Sequence, residues 1–157
     1  MPNILMSQTR TYPKFPIPAV GAIVLHRDQV LLIQRGQAPS KGKWTLPGGV
    51  IEVGESPEEA LVREIEEECQ VKICTQEIVE VINKVLYDDQ GKVLHHYVIL
   101  DYLADCQSDD ECQTKPVQAG SDVMNARWVS VHELERYDTT DGVIDVIHKA
   151  IALRDKR

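Results

Sequence analysis

The sequence predicts an α+β fold, a mixed sheet covered by helices, on three observations. Apolar, β-branched runs are joined by short polar breaks, as in hairpins. One helix near the middle carries a strong start signal. Strands and helices alternate irregularly rather than as repeated strand–helix–strand crossovers, which argues against a doubly wound parallel sheet.

In chain order, residues 1–16 hold three prolines and little periodicity, and read as an irregular arm. Residues 17–155 read as one domain. Ala19 to Leu25 suits a buried strand, and Val30 to Gln34 resumes the pattern after the polar break Arg27-Asp28-Gln29, giving a hairpin. Trp44 to Leu46 is a short strand entering the turn Pro47-Gly48-Gly49. Ser56 to Cys69 is the helix: Ser56 caps it, Pro57 suits its first position, and Glu59 completes the S-x-x-E capping box. Val71 to Cys74 and Ile78 to Tyr87 read as two strands, and Val93 to Leu103 pairs with the second across the turn Asp88-Asp89-Gln90-Gly91. Residues 105–121 are a polar loop, Val123 to Val129 a last strand, and Val131 to Arg136 a short helix behind Ser130. Thr140 opens a final helix whose Val143, Ile144, Ile147 and Ile151 recur at helical spacing, as core positions do.

The chain has 157 residues, 43% hydrophobic and 27% charged, with a formal net charge of -8. The acidity argues against a nucleic acid polymer or an anionic membrane as partner, both of which select basic surfaces. No apolar run is long enough to span a bilayer. The expected location is the cytoplasm, with Cys69, Cys74, Cys106 and Cys112 as reduced thiols; a Cys106–Cys112 clip is the alternative.

The chemistry concentrates between Gly48 and Glu68. Glu64, Glu67 and Glu68 stand at i, i+3 and i+4, so they share one helix face beside the apolar positions Leu61, Val62, Ile65 and Cys69. Like charges at that spacing cost roughly 0.2–0.5 kcal/mol per pair. One turn before Glu64 stands Ala60 rather than a cation, so the row reads as uncompensated. Such a row suits a hard divalent ion, Mg2+ or Mn2+, which takes oxygen ligands and is commonly shared with substrate phosphates. Gly48, Gly49 and Gly54 let the backbone approach that ion or a phosphate closely.

From Gly49 to Val71 the chain reads G-x5-E-x7-R-E-I-x-E-E-x-x-V. This pattern, with the lead-in Lys43-Trp44-Thr45-Leu46-Pro47-Gly48-Gly49, resembles the signature of the Nudix (MutT-like) hydrolases. The resemblance implies an α/β/α sandwich with a mixed sheet. It implies Mg2+- or Mn2+-dependent hydrolysis of a nucleoside diphosphate linked to another moiety. Carried over by position, Glu64, Glu67 and Glu68 are implied metal ligands, joined by the Gly48 carbonyl. Glu55 and Arg63 are implied to organise the loop against the helix. Gln70 departs from the pattern, which has glycine there; if the same left-handed turn is kept, glutamine costs about 1 kcal/mol.

The proton acceptor stays open among Glu64, Asp109, Asp110, Glu111 and Asp122. Arg35, at the end of an inner strand, is the expected phosphate or sugar contact, with Lys41 and Lys43 nearby in sequence. His95 and His96 are adjacent on a strand and so point to opposite faces, which makes them strand residues rather than a metal pair. Tyr12, Phe15 and Tyr87 are candidates for stacking on a base. Phe15-Pro16-Ile17-Pro18 and Ala126-Arg127-Trp128-Val129 look similar to ADP-ribose pyrophosphatase-like members. Tyr87, about sixteen residues past the signature, is more associated with dinucleoside polyphosphate hydrolases. ADP-ribose leads, with dinucleoside polyphosphates and nucleoside triphosphates as alternatives. A non-catalytic nucleotide-binding module is the competing class, and homodimers are frequent among similar proteins.

Overall fold

The computed structural model describes residues 10–113 and 123–157. The elements are β1 (Ile17–His26), β2 (Gln29–Arg35), β3 (Trp44–Thr45), β4 (Gly48–Val50), α1 (Pro57–Cys69), β5 (Ile73–Tyr87), β6 (Val93–Cys106), α2 (Asp109–Gln113), β7 (Val123–Ser130), a 3-10 turn (Leu134–Arg136) and α3 (Val143–Asp155).

β1 organises the sheet. Its residues Ala19 to Leu25 are all buried, the pattern of a strand covered on both faces. It pairs antiparallel with β2 and β4 and parallel with β6. The strand order is β3-β2-β1-β6-β5, with β4 also on β1 and β7 on β2. Alternation along β1 divides the core. Val20, Ala22 and Val24 face one way and pack with Leu31 and Ile33 against Ala60, Leu61, Ile65 and Cys69 of α1. Ile23 and Leu25 face the other way and pack with Leu32 and Leu103 against Val143, Val146, Ile147 and Ala150 of α3. Each fully buried valine, leucine or isoleucine among them contributes roughly 1.5–3 kcal/mol. The result is the expected mixed sheet between helices, an α/β/α sandwich.

Several elements differ from the sequence reading. The glycines after Pro47 are not a turn but strand β4, whose Gly48 and Gly49 pair with Gly21 and Val20. A Cβ on Gly48 would collide with the Val20 backbone, so this strand lies against β1 only because glycine stands there. The two strands expected at Val71 to Cys74 and Ile78 to Tyr87 are one, β5, kept on β6 by register shifts at Thr75/Ile78 and Ile78/Glu80. The last helix starts at Val143 behind Gly142, whose φ of 82° turns the chain. Thr140 instead ties that approach to β3, its N–H donating to the Trp44 carbonyl at 3.0 Å. The polar loop contains the short helix α2. Cys106 and Cys112 are joined as a disulfide, so the expectation of four free thiols gives way to the clip, and Cys69 and Cys74 remain free.

Candidate active site

Helix α1 is built as its sequence requires. Ser56 Oγ accepts the Glu59 N–H at 3.1 Å, and Pro57 occupies the first turn. At the other end Gln70 adopts φ 57°, ψ 35°, the left-handed conformation that glycine favours, and its N–H donates to the Glu66 carbonyl. The helix therefore ends where the glycine pattern predicts, with glutamine bearing the strain.

Arg63 is the hub. Its Nε and Nη2 donate to Glu55 at 2.7 and 2.9 Å, a two-pronged pair. Nη2 also reaches the Val50 carbonyl at 3.2 Å, and Nη1 reaches Glu64 at 2.8 Å and Glu67 at 3.4 Å. Glu55 in turn accepts the Glu52 N–H at 2.9 Å. One guanidinium thus pins the loop 51–56 and the end of β4 to α1. It holds the Glu55 carboxyl down to about 2, chiefly through those hydrogen bonds. The glutamate row is therefore not uncompensated, as the spacing argument at Ala60 implied. Its cation stands next to Glu64 and one turn before Glu67, inside the row.

The glutamates divide by environment. Glu64 is largely enclosed, and a Cβ on Gly49 would run into its carboxylate, so the two groups lie in direct apposition. Burial pushes the Glu64 carboxyl up, against the lowering effect of Arg63. Glu68 Oε1 accepts the Gly48 N–H at 2.8 Å. Glu67 is the most exposed of the three, at 59%. Among the described residues the three carboxylates do not close into one cage, but Glu64 and Glu68 both converge on the β4 backbone. Hard oxygen donors beside a strand that only glycine can form fit a divalent ion such as Mg2+ by their chemistry.

The other candidates lie farther out. Arg35 Nε donates to the Pro39 carbonyl at 2.7 Å, bracing the loop 36–43. Arg35 also acts electrostatically on half-buried Lys84, whose ammonium is pushed down chiefly by burial. Lys41 is exposed and Lys43 half-buried. Asp109 and Asp110 are exposed on α2, while Glu111 is buried and its Oε1 accepts the Lys72 N–H at 3.2 Å, an anchoring role. Asp122 lies outside the described residues. His95 Nδ1 meets the Arg10 carbonyl and His96 Nε2 meets Asn83 Oδ1, so each has its own partner and they form no pair. Tyr12, Phe15 and Tyr87 are exposed, and the Tyr12 hydroxyl donates to Asp88 at 2.8 Å.

Asp101 escaped the sequence reading. It lies on β6 opposite Gly21, is 3% exposed, and its carboxylate fills the space a Cβ on Gly21 would need. Burial, and then the charge of Glu80 opposite on β5, raise it to about 7. The available signal was one acid inside the apolar run from Val98 to Ala104.

The family model described as NUDIX domain matches residues 16–149. An ADP-ribose pyrophosphatase of Methanocaldococcus jannaschii is 32% identical over 121 residues, 77% of this chain and 66% of that protein. The chain thus spans just under two thirds of that relative. A CTP pyrophosphohydrolase of Escherichia coli is 29% identical over 147 residues, 90% of this chain and 96% of that one. Among solved structures, a MutT NUDIX hydrolase from Burkholderia pseudomallei superposes with a TM-score of 0.71 at 25% identity, covering 87% of this chain and 98% of its own.

Proposed function

The chain belongs to the Nudix family, and from that premise we propose that it hydrolyses a phosphoanhydride bond in a nucleoside diphosphate linked to a second moiety, ADP-ribose first. The observation that carries this reading is the convergence of Glu64 and Glu68 on the backbone of Gly48 and Gly49. The archaeal relative's name supports ADP-ribose. The second reading, a nucleoside triphosphate, is favoured by the relative matched over nearly its full length.

Glu64, Glu67 and Glu68, with the Gly48 carbonyl, would hold Mg2+ or Mn2+. The ion would neutralise charge on the phosphate oxygens and lower the pKa of a water. The chain's own residues do the rest by positioning, which dominates phosphoryl transfer. Arg63 and Glu55 fix the distance between the loop and α1. Glu64 is our candidate to accept the proton of the attacking water, because its carboxylate lies directly against Gly49 of β4, where the loop and α1 meet. Arg35 is our candidate for the phosphate or terminal sugar.

The test is phosphate release from ADP-ribose, dinucleoside polyphosphates and nucleoside triphosphates, with Mg2+ and with a chelator. Turnover should stop with the chelator. Glu64→Gln, Glu67→Gln and Glu68→Gln should each lower kcat by about 100-fold or more, given an ion worth several kcal/mol, with circular dichroism unchanged. Equal rates with and without chelator would refute the metal role. No turnover of any of these compounds would refute the hydrolase reading and favour the alternative, a non-catalytic nucleotide-binding module.

A further inference from the structure

A second group of ligands lies at the far end of the α1 face. His26 ends β1 and Cys106 ends β6. The parallel β1–β6 register reaches Val24↔Ala104, so two residues on His26 and Cys106 stand side by side on the same face of the sheet. Helix α2 brings buried Cys112 onto that face, and the ligand atoms of His26, Cys106 and Cys112 all lie within 4.8 Å of one another. Among the described residues this is the one such cluster. The His26 Nε2 is buried with no hydrogen-bond partner among the described residues. The ring of Trp128 lies 6.1 Å from that of His26 between centroids, and its Nε1 too has no partner among the described residues.

An enclosed imidazole nitrogen with no partner among the described residues costs free energy in the disulfide state. It becomes a satisfied ligand if the sulfurs are thiolates and a metal sits between them. We propose that the reduced protein holds a Zn2+ ion through His26 Nε2, Cys106 Sγ and Cys112 Sγ, and that the disulfide is the metal-free state of the same site. The donor set is soft, sulfur and imidazole, whereas the glutamate site is all oxygen, so the two select different ions. Two thiolates, a neutral imidazole and Zn2+ sum to zero charge, which suits a site at the edge of the core. Three protein ligands leave the fourth tetrahedral position to a water.

The chemistry balances. A dithiol reductant gives two electrons and two protons to the Cys106–Cys112 bond and becomes a disulfide itself, and Zn2+ then displaces both thiol protons. The ion would fasten α2 to the ends of β1 and β6. Gly21, opposite Gly48, lies five residues before His26 on β1. At ~3.3 Å per residue that is ~16 Å, so the ion would act on the fold of this end and not on the reacting phosphate.

The full-length protein, reduced by a dithiol that is then removed without oxygen, is titrated with Co2+ in the presence of excess Mg2+. A thiolate-to-cobalt charge-transfer band should grow to about one equivalent and be displaced by Zn2+. Cys106→Ser and Cys112→Ser should abolish the band, and His26→Gln should weaken binding by at least about 100-fold, since even partners of ligands contribute 10–100-fold. Glu68→Gln should keep the band, which separates this site from the glutamates. The oxidised wild type is the folded control and should show no band. No band in the reduced wild type, or one that persists in the oxidised protein or in both serine variants, would overturn the proposal.

Discussion

Asp101→Asn should change how stability depends on pH. Asp101 is buried beside Gly21, and its carboxyl is raised to about 7 from an ordinary 3.8. Below pH 4 the acid is protonated in both the folded and unfolded chain, and its full favourable contribution is present. Between pH 4 and 7 the unfolded chain ionises while the folded one stays neutral, so the unfolded state binds fewer protons and stability falls as pH rises. At about 1.4 kcal/mol per unit, the loss approaches about 4 kcal/mol and levels off above 7. Asparagine cannot ionise, so the variant should gain on the wild type across that window by up to about 4 kcal/mol. For a chain of this size that is about 8–16 °C in Tm. Urea unfolding of both proteins at half-unit steps from pH 4 to 8.5 measures the difference, and titrations common to both cancel. A constant offset caused by fitting an amide into the site does not affect the slope. A difference that stays flat between pH 4 and 8 would mean that Asp101 ionises alike in the folded and unfolded chain, and that its enclosure does not raise it. Glu80→Gln should narrow the window from above, because the Glu80 charge is the second cause of the shift.

Gln70→Gly should stabilise the fold by up to about 1 kcal/mol. It removes the left-handed strain of about 1–2 kcal/mol and adds chain entropy to the unfolded state; a raised urea midpoint with an unchanged m-value is the expected result, and a lowered midpoint would contradict it. Arg63→Lys keeps the charge but not the two-pronged fork, so kcat should fall roughly 10–100-fold, as for partners of metal ligands generally. A merely structural loss would leave the titration of Glu55 alone, whereas the fork hypothesis requires its midpoint, by carbon NMR, to rise from about 2 in the variant.

What could be read from the sequence was what depends on neighbours along the chain. Ser56, Pro57 and Glu59 announced α1 because capping acts within one turn; at the other end the sequence left open whether Gln70 keeps the left-handed turn of the glycine pattern, and the structure shows that it does. The compact apolar, β-branched run from Ala19 to Leu25 marked β1 as a buried strand. Its parallel partner β6, some 80 residues on, leaves no periodicity that identifies it. The clip at Cys106 and Cys112 was undecided for the same reason: six residues of separation permit a pair but do not require one. Only the strand register and α2 bring the sulfurs together beside His26.

The charge balance of the glutamate row differs from what its spacing suggests. Counting i,i+4 positions from Glu64 found Ala60 and no cation, yet Arg63 neutralises the row from the adjacent position because its long side chain crosses the helix face. Arg63 engages Glu52, Glu55, Glu64 and Glu67 at once. An ion placed among the glutamates must therefore compete with a guanidinium for Glu64 and Glu67, while Glu68 stays on Gly48. The two-pronged bond to Glu55 is what keeps Arg63 from following those carboxylates. On the proposed reading Glu55 would not itself bind the ion; it would hold back the guanidinium that otherwise competes for Glu64 and Glu67.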